Sequence, residues 1–366
     1  MAQTSPQALN HQESRLHLKR VAALVGGGKS DEPFQDTMRQ DGRSALYVEL
    51  QSALHAYGVE LHTDDVCEQR GLTPDLQIHV NVRKSVRQAR CPCHVLLLET
   101  PNVRPLNQNL NLLAQYQRVF SWQTQLSINE HSQNWRWIPA YPVPLHKTPV
   151  DGWSQRSHMC CMVASNKSMS DTSSANLYLE RVQTLKWFEQ HAFHNLDLYG
   201  PGWHMPVTSK DTWGALQRFW YRHVSNASAK NPFPNWKGLA ESKHALMKNY
   251  RFAFCYENVA GLHGYITEKI FDAMGAGCIP IYWGAPDIEQ FVPSECFIHR
   301  THFASHEDLW QYLHDMTESE FKQRQEAMHA FMQSPRADLF SARHFGIEVA
   351  KNMVQDLGID HEFNTH

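Results

Sequence analysis

Short apolar blocks alternate along this chain with polar loops and with stretches whose apolar residues recur at helical spacing. Arg20 to Val25 (RVAALV) predicts a first strand, running into Gly26-Gly27-Gly28-Lys29-Ser30 and a polar loop that ends at Arg43. Leu46, Leu50, Leu54 and Tyr57 then follow helical spacing up to Gly58, and Val59 to Leu61 resumes as a strand, giving a β-α-β opening. Gln77–Val82, His94–Leu98 and Tyr116–Trp122 predict further strands. The segment WRWIPAYPVPL, 135–145, is punctuated by proline, and the domain change is placed after it. Beyond it, Met159–Ser165 predicts a strand, Leu177–His191 a helix, and LDLYGPG, 196–202, a strand and turn. Trp203, Trp213, Trp220 and Trp236 follow among prolines and polar residues, where they are expected to pack a loop onto the core rather than to meet a sugar ring. Ser305 and Thr317 open two amphipathic helices, the second with a capping box from Thr317 to Glu320 and an apolar line of Phe321, Met328, Phe331 and Met332. This alternation predicts an α/β protein of two Rossmann-like domains, 1–150 and 151–366, with residues 1–19 poorly ordered and helices closing the second domain.

Composition narrows the function classes. At 366 residues the chain has room for two domains. A formal charge of −3 supplies no basic field for nucleic acid. The absence of any long apolar run or apolar leader in MAQTSPQALNHQESRLHLKR predicts a cytoplasmic protein without a membrane span, with peripheral contact at the inner membrane as the variant of that expectation. The 8 cysteines sit mostly in apolar settings and read as reduced core residues. Cys91-Pro92-Cys93 beside His94 supplies too few ligands for a structural zinc.

Chemistry concentrates in Tyr250 to Ala285, YRFAFCYENVAGLHGYITEKIFDAMGAGCIPIYWGA. The pattern is strand, glycine-bearing loop, helix, strand: Thr267 is the expected N-cap, Glu268 and Lys269 fill the first turn, and Gly277 fits the left-handed position past the helix end. A helix start beyond a buried parallel strand is where diphosphates bind. There Lys269 could neutralise phosphate, Glu268 could accept the two hydroxyls of a ribose, and Asn258 and Tyr265 could supply shorter hydrogen-bonding arms. Taken singly, each of these residues is equally at home in a cap or a turn; together they favour a nucleotide pocket. Glu99 directly follows VLLL, so it stands at the carboxyl end of a buried strand, fit for a general base or for solvating a loop. ALVGGGKS, 23–30, comes one residue short of a triphosphate-binding loop, but Asp31-Glu32-Pro33 stands where its helix should propagate, so a P-loop NTPase is the alternative and a flexible loop the preferred reading.

The stretch CYENVAGLHGYITEKIFDAMGAGCIPIYWGA resembles the donor-binding signature of the glycosyltransferase family 10 α-1,3-fucosyltransferases, through its CYEN, GYITEK and AGCIPIYWGA boxes. The resemblance implies a GT-B architecture of two Rossmann-like domains facing a cleft, with acceptor bound by the first and GDP-fucose by the second. It implies inverting transfer of L-fucose from GDP-β-L-fucose to a glycan hydroxyl, expected to be O3 of GlcNAc in an N-acetyllactosamine-type oligosaccharide. LLLETPNVRP is similar to the turn that bears the family's base, which implies that role for Glu99; VASN with Arg181 downstream is similar to its second donor-contact segment, which brings in Ser165 and Asn166 and sets Arg181 on the pyrophosphate. Glu257 would hold the fucose ring or its developing charge. The chain has no Asp-x-Asp, so no cofactor is expected to be obligatory and a divalent metal at most to stimulate. A nucleotide-sugar binder without catalysis is the remaining alternative.

Overall fold

The computed structural model describes residues 20–35, 44–124, 134–166, 175–207, 213, 216, 219 and 232–359. Its frame is two all-parallel sheets. The first has six strands in the order β2-β1-β3-β4-β5-β6: β1 (Arg20–Val25), β2 (Val59–Thr63), β3 (Leu76–Val80), β4 (Cys93–Leu97), β5 (Arg118–Ser121) and β6 (Trp135–Trp137). The second has five in the order β11-β10-β9-β7-β8: β7 (His158–Val163), β8 (Leu196–Tyr199), β9 (Tyr250–Tyr256), β10 (Ile279–Trp283) and β11 (Ile298–His299). Central strands such as VLL in β4 and FAFCY in β9 are apolar at successive positions because both faces are covered. The expectation for residues 1–19 lies outside the described residues, as does Trp220.

The helices fall close to their sequence signals. α1 (Ala45–Ala56) buries Leu46, Leu50 and Leu54 and ends before Gly58, whose φ is 76°. After α2 (Asp64–Gln69) and the one-turn α3 (Leu110–Leu113), α4 (Leu177–His191) covers the predicted span, capped by Asn176. α5 (Lys243–Met247) precedes β9, and α6 (Glu268–Gly275) links β9 to β10. Gly277 closes that link at φ 70°, and a side chain there would run into Arg156 and Pro149. α7 (His306–Asp315), α8 (Glu318–Met332) and the short α9 (Pro335–Asp338) finish the second domain.

Four expectations are corrected. The complete capping box belongs to Ser305 and Asp308; Thr317 does accept from the Glu320 N–H, but the Glu320 carboxylate is drawn to the Tyr312 hydroxyl at 2.7 Å. The glycine run is a pinned loop rather than a flexible one. The Ser30 N–H donates to Asp65 at 2.9 Å, the Thr63 N–H to Asp31 at 2.7 Å, and Pro33 opens only a one-turn 3-10 helix. A donor that would face phosphate is thus taken by a carboxylate, which argues against the NTPase alternative. WRW, read as part of a proline-punctuated connector, forms the edge strand β6. Finally α10 (Ala342–Asp356) does not belong with 151–341: its Phe345, Val349, Ala350, Met353 and Val354 join the core around Leu46, Leu50 and Ile78 of the first domain. Gly346 permits that packing, because a Cβ there would lie 2.7 Å from the Glu49 backbone on α1.

Candidate active site

β9 ends at Tyr256, and Glu257 follows it with no exposed surface at all. A buried carboxylate needs partners, and it finds them at the start of α6. Its Oε1 accepts the Thr267 N–H at 2.8 Å, while Oε2 accepts the Thr267 hydroxyl at 2.7 Å and the Lys269 ammonium at 3.0 Å. Thr267 occupies the N-cap position as expected, yet its side chain caps nothing; its hydroxyl accepts from Lys269 Nζ at 2.8 Å instead. Glu257 thus aims the ammonium along the helix start. Burial alone would favour the neutral amine, but Glu257 and Glu268 outweigh it and hold the Lys269 pKa above its ordinary value. For Glu268 burial works against the charge as well, and Lys269 with Lys243 overrides it, so the carboxyl titrates below its usual range.

Around this helix start lies a cleft of about 470 Å³. Lys269, Glu268, Asn258, Tyr265, Arg181 and Ser165 line it from the second domain, and Glu99 lines it from the first. Arg181 is buried on α4 and reaches the end of β9, where one terminal nitrogen donates to the Tyr256 carbonyl at 2.6 Å, the Glu257 carbonyl at 2.9 Å and Asn258 Oδ1 at 3.3 Å. It therefore braces the backbone beneath the cleft as well as bordering it. Burial lowers its pKa, with Tyr178 and Glu257 opposing. The Tyr265 ring packs at a tilt of 58° against Trp122 of the first domain, with ring centroids 4.9 Å apart. Burial, then Glu257, Glu99 and Glu268, push its phenol well above the usual range, so it remains a hydrogen-bond donor.

Two predicted site residues stand outside the cleft lining. Glu257 is spent on Thr267 and Lys269, so it supports the site from beneath rather than reaching a sugar ring. The Asn166 amide donates to the Gly202 and Met205 carbonyls at 3.0 and 2.8 Å, securing the turn after β8. Trp203 and Trp236 do the same from their indole N–H groups, to Ala164 and Gly200 carbonyls at 2.7 and 2.9 Å, which bears out their reading as loop-packing residues.

One pair in the lining had no local signal. Asp272, one helical turn after Glu268, lies 3.3 Å from Lys243 on α5, and both face the cleft. Burial lifts the Asp272 carboxyl to about 6, with Lys243 opposing and Glu268 adding to the rise. Among the described residues no three His, Cys, Asp or Glu side chains gather as metal ligands, and all eight cysteines are free thiols.

The two halves of the cleft meet at a defined seam. Gly264, at φ 79°, passes so close to the first domain that a Cβ would lie 2.1 Å from the Trp122 carbonyl. Asp287 fastens both sides, accepting the Gly264 N–H at 2.8 Å and the Thr124 hydroxyl at 2.9 Å.

Residues 153–325 match the family described as glycosyltransferase family 10 (fucosyltransferase), C-terminal part. Over this segment the chain is similar to glycosyltransferase family 10. The matched family 10 region takes in α4, β9, α6 and β10, and with them the cleft residues from Ser165 to Asp272. Among curated relatives, an α-(1,4)-fucosyltransferase of Arabidopsis thaliana is 39% identical over 70 residues, and an α-(1,3)-fucosyltransferase of Helicobacter pylori 36% over 73. These alignments cover 19% and 20% of this chain and only 17% and 15% of those relatives. In fold the chain is similar to a solved α1,3-fucosyltransferase, with TM-score 0.51 at 15% identity over 94% of this chain and 93% of that one. It is also similar to an Anabaena protein solved with UDP and glucose, with TM-score 0.53 at 11% identity over 92% and 100%. The architecture is GT-B.

Proposed function

We propose that this chain transfers L-fucose from GDP-β-L-fucose, with inversion, to O3 of GlcNAc in an N-acetyllactosamine-type oligosaccharide. The observation that carries this reading is a single cleft that brings Glu99, at the end of β4, opposite the Lys269–Glu268 helix start. In that geometry GDP lies on α6, its diphosphate against Lys269 and the free N–H groups of the first turn and bordered by Arg181, its ribose hydroxyls on Glu268. Asn258, Tyr265 and Ser165 hydrogen-bond around it. Glu99 takes the proton of the acceptor hydroxyl as that oxygen attacks C1 of fucose; the C1–O bond to GDP breaks, and its electrons leave as phosphate charge that Lys269 and Arg181 stabilise. No metal is required to hold that charge in this scheme. Two protein cations and a helix dipole already face it. A relative solved with GDP-fucose shares the fold, with TM-score 0.50 over 100% of this chain and 95% of its own.

Glu99→Gln tests the assignment. Its turnover of acceptor with GDP-fucose should fall by about 10² to 10⁴, with GDP binding unchanged. Parental turnover in this variant would remove Glu99 from the base role. In thermal-shift assays the parent should be stabilised by GDP and not by ATP with magnesium; the reverse would restore the NTPase alternative.

A further inference from the structure

Glu99 is held by a device that the reaction scheme does not name. Through the end of β4 and the residue after it, successive side chains alternate between two cores: Leu96 and Leu98 pack on the side of α1 and α10, Leu97 on the side of Tyr116. One more residue of regular strand would send Glu99 to the Tyr116 side. The chain leaves the strand there instead, and the backbone groups freed by leaving it are taken up by two buried asparagines. Asn81 Oδ1 accepts the Leu98 N–H at 3.2 Å, the Glu99 N–H at 3.0 Å and the Asn107 amide at 2.9 Å. Asn107 Nδ2 also donates to the Glu99 carbonyl at 2.8 Å, and its Oδ1 accepts the Val82 N–H at 2.9 Å. Both polar groups of the Glu99 main chain are therefore clamped by side-chain amides, and the backbone N–H partners fix the orientation of both amides. Asn81 does this from a left-handed conformation, φ 61°, one residue past β3; asparagine tolerates that region and glycine occupies it freely.

We infer that Asn81 and Asn107 are positioning residues that set the direction of the Glu99 carboxylate in the cleft. The inference rests on the base role of Glu99 proposed above. The amides act through the peptide: with the Glu99 N–H and carbonyl both anchored, the side chain has only its own rotamers left to reach the acceptor. A small displacement of a positioned base is costly in rate.

Two substitutions at position 81 separate positioning from mere folding. Asn81→Gly keeps the left-handed backbone and deletes the shared acceptor; kcat should fall by about tenfold or more while KM for GDP-fucose and the affinity for GDP stay within about twofold. Asn81→Asp keeps an acceptor oxygen for Leu98, Glu99 and Asn107 and so keeps the fold. It places a like charge beside Glu99, and the acid limb of the kcat–pH profile should move up by about one pH unit, with kcat near the parent's on the alkaline side. Parental kinetics for the glycine variant, or an unmoved acid limb for the aspartate variant, overturns the inference. The titration of Glu99 by carbon NMR in selectively labelled protein, assigned with Glu99→Gln, gives a readout that needs no turnover. A parent that transfers no fucose counts against the proposed function; an Asn81→Asp protein whose Glu99 titrates as the parent's does counts against the clamp alone.

Discussion

Glu257→Gln is the substitution that most directly tests how the helix start is built. Glutamine preserves the shape and one acceptor for the Thr267 N–H, but it turns an N–H₂ group toward the Thr267 hydroxyl and the Lys269 ammonium, which the carboxylate holds at 2.7 and 3.0 Å. Removing one partner of a buried ion pair costs about 3–5 kcal/mol. Two features place the loss here toward the low side. The Lys269 side chain keeps 21% of its exposure, and Glu268 remains as a second counter-charge at 3.7 Å. A loss of about 2–3 kcal/mol corresponds to a drop of about 5–10 °C in Tm for a unit the size of the second domain. The same substitution removes a negative charge from beneath the diphosphate. Where Lys269 keeps its place through Thr267 and Glu268, GDP should therefore stabilise the variant more than it stabilises the parent, every tenfold gain in affinity being about 1.4 kcal/mol. Differential scanning fluorimetry with and without GDP measures both effects. A Tm unchanged from the parent would refute the account of Glu257 as the carboxylate that anchors Lys269, and a smaller GDP-induced rise would show that the lost aim of Lys269 outweighs the relieved negative charge.

Lys269→Ala should weaken GDP binding tenfold or more, about 1.4 kcal/mol or greater, in titration calorimetry; parental affinity would take Lys269 out of the diphosphate site. Gly264→Ala forces a side chain into a left-handed position against the Trp122 carbonyl. It should lower unfolding free energy by on the order of 2 kcal/mol in chemical denaturation, and an unchanged value would show that the seam is not close-packed there. Asp272 carries a folded-state pKa of about 6, above its ordinary 3.8, so its ionisation opposes folding and stability is lost as pH rises from about 4 through about 6. Asp272→Asn should flatten that part of the parent's Tm–pH curve, and superimposable curves would contradict the assignment.

Much of this site was legible because its signals are local. The run from Thr267 to Gly277 announces a helix with an acid and an ammonium in its first turn, and the helix forms where that run predicts. Leu177 to His191 is legible for the same reason, since its helix spacing is uninterrupted. What stayed hidden depends on contacts between distant segments. Glu257 looks like any acid at a strand end, and only the folded turn back to Thr267 shows that it is buried and already paired. Lys243 and Asp272 stand on separate helices with β9 between them in the chain, so no spacing rule joins them. Phe345, Val349 and Met353 stand at helical spacing, but nothing local says which core they join, and the surface they cover belongs to α1 of the other domain. The capping box failed for a different reason: Glu320 had a rival donor in Tyr312, one helix away.

That ownership changes how the two halves of the site can move. Because α10 returns to the first domain, the chain crosses between domains twice, once before β7 and once before α10. The two crossings are bonded to each other: the Val143 N–H donates to the Phe340 carbonyl and the Ala342 N–H to the Val143 carbonyl, each at 2.9 Å. At its far end α10 is fastened to the first sheet by Asp356, which accepts from Arg118 at 2.7 Å and lies 3.0 Å from His94. Burial opposes that charge, yet the hydrogen bonds from His94 and Arg118 hold the carboxyl down to about 2, so the fastening persists through the neutral range. A rotation that widened the space between Glu99 and Lys269 would have to twist both crossings together about Val143 and part Gly264 and Asp287 from Trp122 and Thr124. The clamp of Glu257, Thr267 and Lys269 lies wholly within the second domain and is untouched by such a motion, as is the Asn81–Asn107 clamp within the first. Domain movement would therefore alter the separation of the two chemical groups while leaving each one's own orientation intact.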